Sequence, residues 1–124
     1  MIPALLVALG GALGSLARYG VNLWSVKAFG PGFPWGTLTV NVVGGFVMGL
    51  LAALLTLRGG SSEARLFLMT GVLGGFTTFS AFSLDAVSLW ERGEGTAAAV
   101  YVVVSVVVSI AALVGGLALG RALG

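Results

Sequence analysis

The chain has 124 residues, 58% of them hydrophobic and only 8% charged, with a formal net charge of +2. A soluble domain carries about 25% charged residues, and one this short keeps much of its surface in water, so the composition argues against a soluble fold and places the chain in a membrane. With no cysteine and no histidine there is no disulfide, thiolate or imidazole metal centre or Ser-His-Asp triad, and the sparse charge forms no basic patch for nucleic acid.

About 20 mainly apolar residues cross the hydrocarbon core, and four stretches meet that length: roughly 3–23, 36–57, 66–90 and 97–121. Met1-Ile2-Pro3 lacks the basic residues that open a secretory signal, so the first span is expected to be retained. Arg18 lies near the end of that span. It either snorkels to the interface or stands as a cation in a vestibule, raising the local anion concentration. Turn residues Gly30-Pro31-Gly32-Phe33-Pro34 close the first connection.

The second span carries Asn41 within Gly36-Thr37-Leu38-Thr39-Val40-Asn41. A carboxamide there serves an interhelical hydrogen bond or offers N–H donors to a permeant species. After the loop Arg58–Glu63, the third span contains Gly71-Val72-Leu73-Gly74-Gly75-Phe76-Thr77-Thr78-Phe79-Ser80-Ala81-Phe82-Ser83. Two glycines followed by two threonines weaken a helix at mid-membrane, and a break frees backbone carbonyls that must be satisfied. Converging carbonyls suit a hard monovalent cation such as Na⁺. The alternative is an unbroken helix whose hydroxyls bond back to preceding carbonyls. Phe79 and Phe82 share a helical face, which usually means lipid contact or core packing. Interleaved with Thr78, Ser80 and Ser83, their positive ring edges also suit the wall of an anion route. Asp85 is the one acidic residue placed to lie within a span, with a solvated helix end as its ordinary meaning.

Glu91-Arg92-Gly93-Glu94-Gly95 makes the third connection. In the fourth span the β-branched run Val100–Val108 is expected to be helical, because of its length and its polar flanks. Tyr101, Ser105 and Ser109, spaced by four, put three hydroxyls on one stripe, either for packing or as a ladder of donors beside a pore. Each span holds a Gly-x-x-x-Gly pair: Gly10/Gly14, Gly45/Gly49, Gly71/Gly75 and Gly116/Gly120. Such pairs let backbones approach closely in a bilayer. An even span count puts both termini on one side with Arg58, Arg65 and Arg121, against Lys27 and Arg92, plus Arg18 if it snorkels that way. So small a Lys/Arg bias leaves open both one fixed topology and dual insertion, the latter giving an antiparallel homodimer with its two-fold axis in the membrane plane.

Three blocks, Gly10–Tyr19, Gly36–Gly44 and Gly74–Ser83, occur in the order seen in the Fluc (CrcB) fluoride channels, and the whole chain resembles that family in length, span count and weak charge bias. The resemblance implies an all-α integral membrane protein of the cell membrane with a broken third helix. It also implies a dual-topology antiparallel homodimer with two pores and one central structural Na⁺. By position, the Na⁺ would be held by the main-chain carbonyls of Gly74 and Thr77. Fluoride would pass Asn41, Phe79, Phe82, Thr78, Ser80, Tyr101, Ser105 and Ser109, with Arg18 in the vestibule. Two departures stand out: Ala81 where many relatives have Thr, and Asp85 where a Glu is common.

Passive fluoride export is therefore the leading expectation. The alternatives are a small multidrug-type proton-coupled exporter, which needs a mid-membrane carboxylate that the first span lacks, and a non-transporting assembly subunit, for which the glycine pairs suffice. With no nucleophile–base pair or metal-ligand cluster in the sequence, an enzyme is not expected. The expected partners are fluoride, membrane lipid and a second copy of the chain.

Overall fold

The structure, a computed structural model, describes residues 2–124. Helix α1 (Ile2–Phe29) ends at Gly30, whose φ of +78° suits a residue without a Cβ. Residues 30–34 then turn the chain. Pro34, at φ −79° and ψ 63°, forms an inverse γ-turn closed by the Trp35 N–H donating to the Phe33 carbonyl at 2.8 Å. Helix α2 (Trp35–Leu57) closes in a Schellman motif: Gly59 takes a φ of +66° and the Gly60 N–H donates to the Leu55 carbonyl at 2.7 Å.

The third crossing is not one regular helix. Helix α3 (residues 62–76) starts at Ser61, whose hydroxyl accepts the Ala64 N–H at 3.1 Å. It widens to π-type winding over Leu66–Leu73 and returns to α geometry at Gly74–Phe76. Thr77 and Thr78 are extended, with ψ of 160° and 125°. The Thr78 hydroxyl then caps α4 (Phe79–Glu91) by accepting the Ala81 N–H at 3.1 Å. The expected break is present, and the π-wound segment before it is an addition to the expectation. A second Schellman turn at Gly93, φ +81°, leads into α5 (Gly95–Leu123), so the valine-rich run is helical.

Four helical stretches, Ile2–Phe29, Trp35–Leu57, Ser62–Glu91 and Gly95–Leu123, are long and apolar enough to cross a membrane. The glycine pairs meet in two parallel seams. A Cβ on Gly10 would stand 2.6 Å from the Phe67 carbonyl oxygen, and one on Gly75 2.5 Å from that of Gly11, so α1 lies directly on α3. On the other side, a Cβ on Gly45 would meet the Ser109 carbonyl oxygen at 2.8 Å and one on Gly120 that of Leu50 at 3.0 Å, joining α2 to α5. Outside the seams, Leu5, Leu9, Leu13 and Leu16 of α1 and Val103, Val107, Ile110 and Val114 of α5 are exposed, as befits helices solvated by lipid. The cluster Phe82, Leu89, Ala98 and Tyr101 is buried where α4 meets α5.

Candidate functional site

In the extended dipeptide Thr77-Thr78 the chain leaves the hydrogen-bonding scheme of a helix, and side chains from two other helices take over. Asn41, on α2, bonds Thr78 from both ends of its carboxamide. Its Oδ1 accepts the Thr78 N–H at 2.9 Å, and its Nδ2 donates to the Thr78 carbonyl at 3.0 Å. Arg18, on α1, donates from Nε to the Gly75 carbonyl at 3.1 Å. Asn41 thus makes the interhelical bond, and since an amide nitrogen carries two hydrogens, one N–H is left over from this pairing. Arg18 turns inward to the break instead of outward to a loop, and the donors of its two Nη groups remain for other partners.

The backbone accounting at the break identifies the freed acceptors. In a continuous helix the Thr78 N–H would serve the Gly74 carbonyl and the Ala81 N–H that of Thr77. Here the first donates to Asn41 and the second to the Thr78 hydroxyl. The carbonyls of Gly74 and Thr77 therefore lose their helical donors, and so does that of Phe76, whose donor would be the Ser80 N–H. Gly75 regains one from Arg18, and the Thr77 hydroxyl is spent on the Leu73 carbonyl at 2.9 Å. Among the described residues no group of three or more acidic, histidine or cysteine side chains could hold a metal ion.

Beside the break lies a cavity of about 310 Å³ lined by Asn41, Thr77, Thr78, Phe79, Phe82, Ser105, Val106, Ser109 and Ile110. The ring centroids of Phe79 and Phe82 are 5.6 Å apart. Phe82 is buried, whereas Phe79 is 77% exposed, so this chain alone does not close the cavity. Ser105 and Ser109 face it from α5, and both hydroxyl oxygens are buried without a hydrogen-bond partner. Serine in a helix ordinarily bonds back to a carbonyl one turn earlier, and buried polar groups are nearly always paired. These two exceptions stand one helical turn apart on α5, both in residues that line the cavity.

The remaining expected site residues divide. Ser80 is exposed, with its hydroxyl 3.4 Å from that of Thr78. Tyr101 is fully buried and does not line this cavity; it packs against Phe82 at 5.2 Å and donates its hydroxyl to Asp85 Oδ2 at 3.1 Å. The hydroxyl stripe of α5 is thus divided, two serines facing the cavity and the tyrosine turned to α4. Asp85 is a half-buried acceptor rather than a solvated helix end. Thr37, one turn before Asn41 on the same face of α2, is a buried polar residue.

The profile of the family described as "CrcB-like protein, Camphor Resistance (CrcB)" matches residues 5–117. The chain is 63% identical over 106 residues to the "Fluoride-specific ion channel FluC" of Rhizobium leguminosarum bv. trifolii, covering 85% of each chain. It is 62% identical over 106 residues to the protein of that name from Agrobacterium fabrum, with the same coverage. To the one from Cereibacter sphaeroides it is 60% identical over 106 residues, covering 85% of this chain and 84% of the relative.

Proposed function

The chain belongs to the CrcB family, and from that membership and the cavity beside the helix break we propose that it is a fluoride-specific ion channel through which fluoride leaves the cell passively. It is a multi-pass protein of the cell membrane and not an enzyme. The observation that carries the reading is the pair of buried, unpartnered hydroxyls at Ser105 and Ser109. A small anion sheds strongly bound water on entering such a cavity, and hydroxyl donors replace it at once, together with the free N–H of Asn41 and the ring edges of Phe79 and Phe82. The proton-coupled exporter fits less well, since its coupling carboxylate would have to be Asp85, which is already engaged by Tyr101.

The test is ion release from liposomes holding the purified protein, followed with fluoride and chloride electrodes. Rapid fluoride release with chloride retained is expected; no release above empty liposomes would defeat the channel reading. A hydrogen bond to a charged group contributes about 1.5–3 kcal/mol, so Ser109→Ala and Ser105→Ala should each slow release roughly tenfold or more while leaving the fold intact.

The reading extends to assembly and to a structural ion. A cavity whose wall includes an exposed Phe79 is completed by a second, antiparallel copy of the chain. The carbonyls of Gly74 and Thr77, deprived of helical donors, suit one Na⁺ at the dimer centre, where the ion would neutralise oxygens that lipid cannot satisfy. Replacing Na⁺ by a bulky organic cation should therefore lower both the thermal stability of the purified protein and its fluoride release. An unchanged melting temperature in Na⁺-free buffer would remove the ion from this picture.

A further inference from the structure

Thr77 is held at the break by more than its hydrogen bonds. It donates twice to one acceptor, the Leu73 carbonyl, from its N–H at 3.0 Å and from its hydroxyl at 2.9 Å. Its methyl group, Cγ2, is turned to α2, where it fills the space that a Cβ on the buried Gly44 would take. The Phe76 ring stands beside the same space, its Cδ2 3.5 Å from where that Cβ would be. Gly44 lies three residues beyond Asn41 and shares its face of α2.

Helix α2 therefore grips the extended dipeptide at two successive points. Asn41 pairs with both backbone groups of Thr78, and Gly44 receives the methyl of Thr77. Threonine meets both demands at position 77, whereas serine lacks the methyl and valine lacks the hydroxyl. A β-branched side chain has few χ1 states, so the hydroxyl bond and the seated methyl fix each other's direction. The Thr77 carbonyl, which has lost its helical donor, is then aimed by the rest of its own residue.

Building on the channel reading and its structural Na⁺, we propose that Gly44 is a positioning residue for the break. Its missing side chain is the seat of the Thr77 methyl, and that seat sets where the Thr77 carbonyl and the Asn41–Thr78 pair stand. A methyl added to Gly44 has two ways to find room. Either Thr77 turns about χ1 and takes its hydroxyl off the Leu73 carbonyl, or the backbone of the break moves.

Moving the methyl from one helix to the other tests this. Wild type, Gly44→Ala, Thr77→Ser and the double variant are compared, with Gly115→Ala, whose Cβ meets nothing within 4 Å, as control. Gly44→Ala should slow fluoride release about tenfold or more and raise by a similar factor the Na⁺ concentration at which thermal stabilisation sets in. Thr77→Ser, which empties the seat, should fall between Gly44→Ala and wild type. The double variant returns at residue 44 the methyl it removes from residue 77, and should recover both readouts to within about threefold of wild type. A substitution that only loosened the bundle would lower the melting temperature at every Na⁺ concentration without moving that onset. Wild-type behaviour of Gly44→Ala overturns the proposal, and so does a double variant no better than Gly44→Ala alone. The second comparison decides even where Gly44→Ala does not fold, because a folded, conducting double variant is then the expected result. Wild-type protein whose melting ignores Na⁺ removes the ion from the proposed function and leaves the seat to be judged on release. Wild-type protein that releases no fluoride defeats the channel reading and leaves the seat to be judged on the Na⁺ onset.

Discussion

Asn41→Asp is expected to abolish fluoride release. The substitution is nearly isosteric, so it tests chemistry rather than space. In place of Nδ2, an oxygen would face the Thr78 carbonyl at the present 3.0 Å, turning a hydrogen bond into a contact between two acceptors. The carboxylate would also place a negative charge on the wall along which an anion passes. At 4 Å and an effective dielectric near 20, like charges repel by about 4 kcal/mol, which corresponds to roughly a thousandfold in rate. Asn41→Ala separates the two contributions. It removes the splint on Thr78, leaving buried backbone groups unpaired at about 1–3 kcal/mol, but adds no charge. Reduced and measurable release from the alanine variant, with none from the aspartate, is the expected pattern. Equal release from both would show that Asn41 acts only by holding the break. Wild-type release from Asn41→Asp would remove Asn41 from the path altogether.

The break itself was legible because its cause is local. Gly74-Gly75 and Thr77-Thr78 are poor helix formers side by side, and Thr78 is a good N-cap for the helix that begins at Phe79. The π-type winding over Leu66–Leu73 was not, because Leu-Phe-Leu-Met-Thr-Gly-Val-Leu carries no mark of it. It lies where Gly71 is pressed on Gly10, a tertiary contact. The partners of the polar residues were illegible for the same reason. That Asn41 would bond Thr78, 37 residues on, and Arg18 the Gly75 carbonyl, 57 residues on, depends on how four helices are arranged, and spacing within one helix is silent about that. Asp85 shows the direction of the error. Counted from the charged loop it looked solvated, while its acceptor role depends on Tyr101 reaching across from another helix. The shared stripe of Tyr101, Ser105 and Ser109 was legible from their spacing, but only the fold shows that the two serines line the cavity and Tyr101 does not.

The glycine pairs yield the second large effect. Gly116→Ala should destabilise the bundle severely, and its neighbour Gly115→Ala should not. A Cβ on Gly116 would run into the Phe46 carbonyl and stand 2.8 Å from the Leu50 nitrogen, both rigid backbone of α2, whereas one on Gly115 meets nothing within 4 Å. Overpacking of a tight contact costs about 1–3 kcal/mol and more where backbone must move. In contrast, an alanine in open space gains roughly 0.5–1 kcal/mol of helix propensity over glycine. Thermal unfolding in detergent should therefore move in opposite directions for two adjacent, chemically identical substitutions. If both variants melt alike, α2 and α5 are not in backbone contact. The seam also bears on the cavity, because Asn41 on α2 and Ser105 and Ser109 on α5 all line it. Gly45→Ala sits at that point, its Cβ 2.8 Å from the Ser109 carbonyl oxygen. It should push Ser109 outward and slow fluoride release even in protein that remains folded, linking the small residues of the seam to the donors they hold in place.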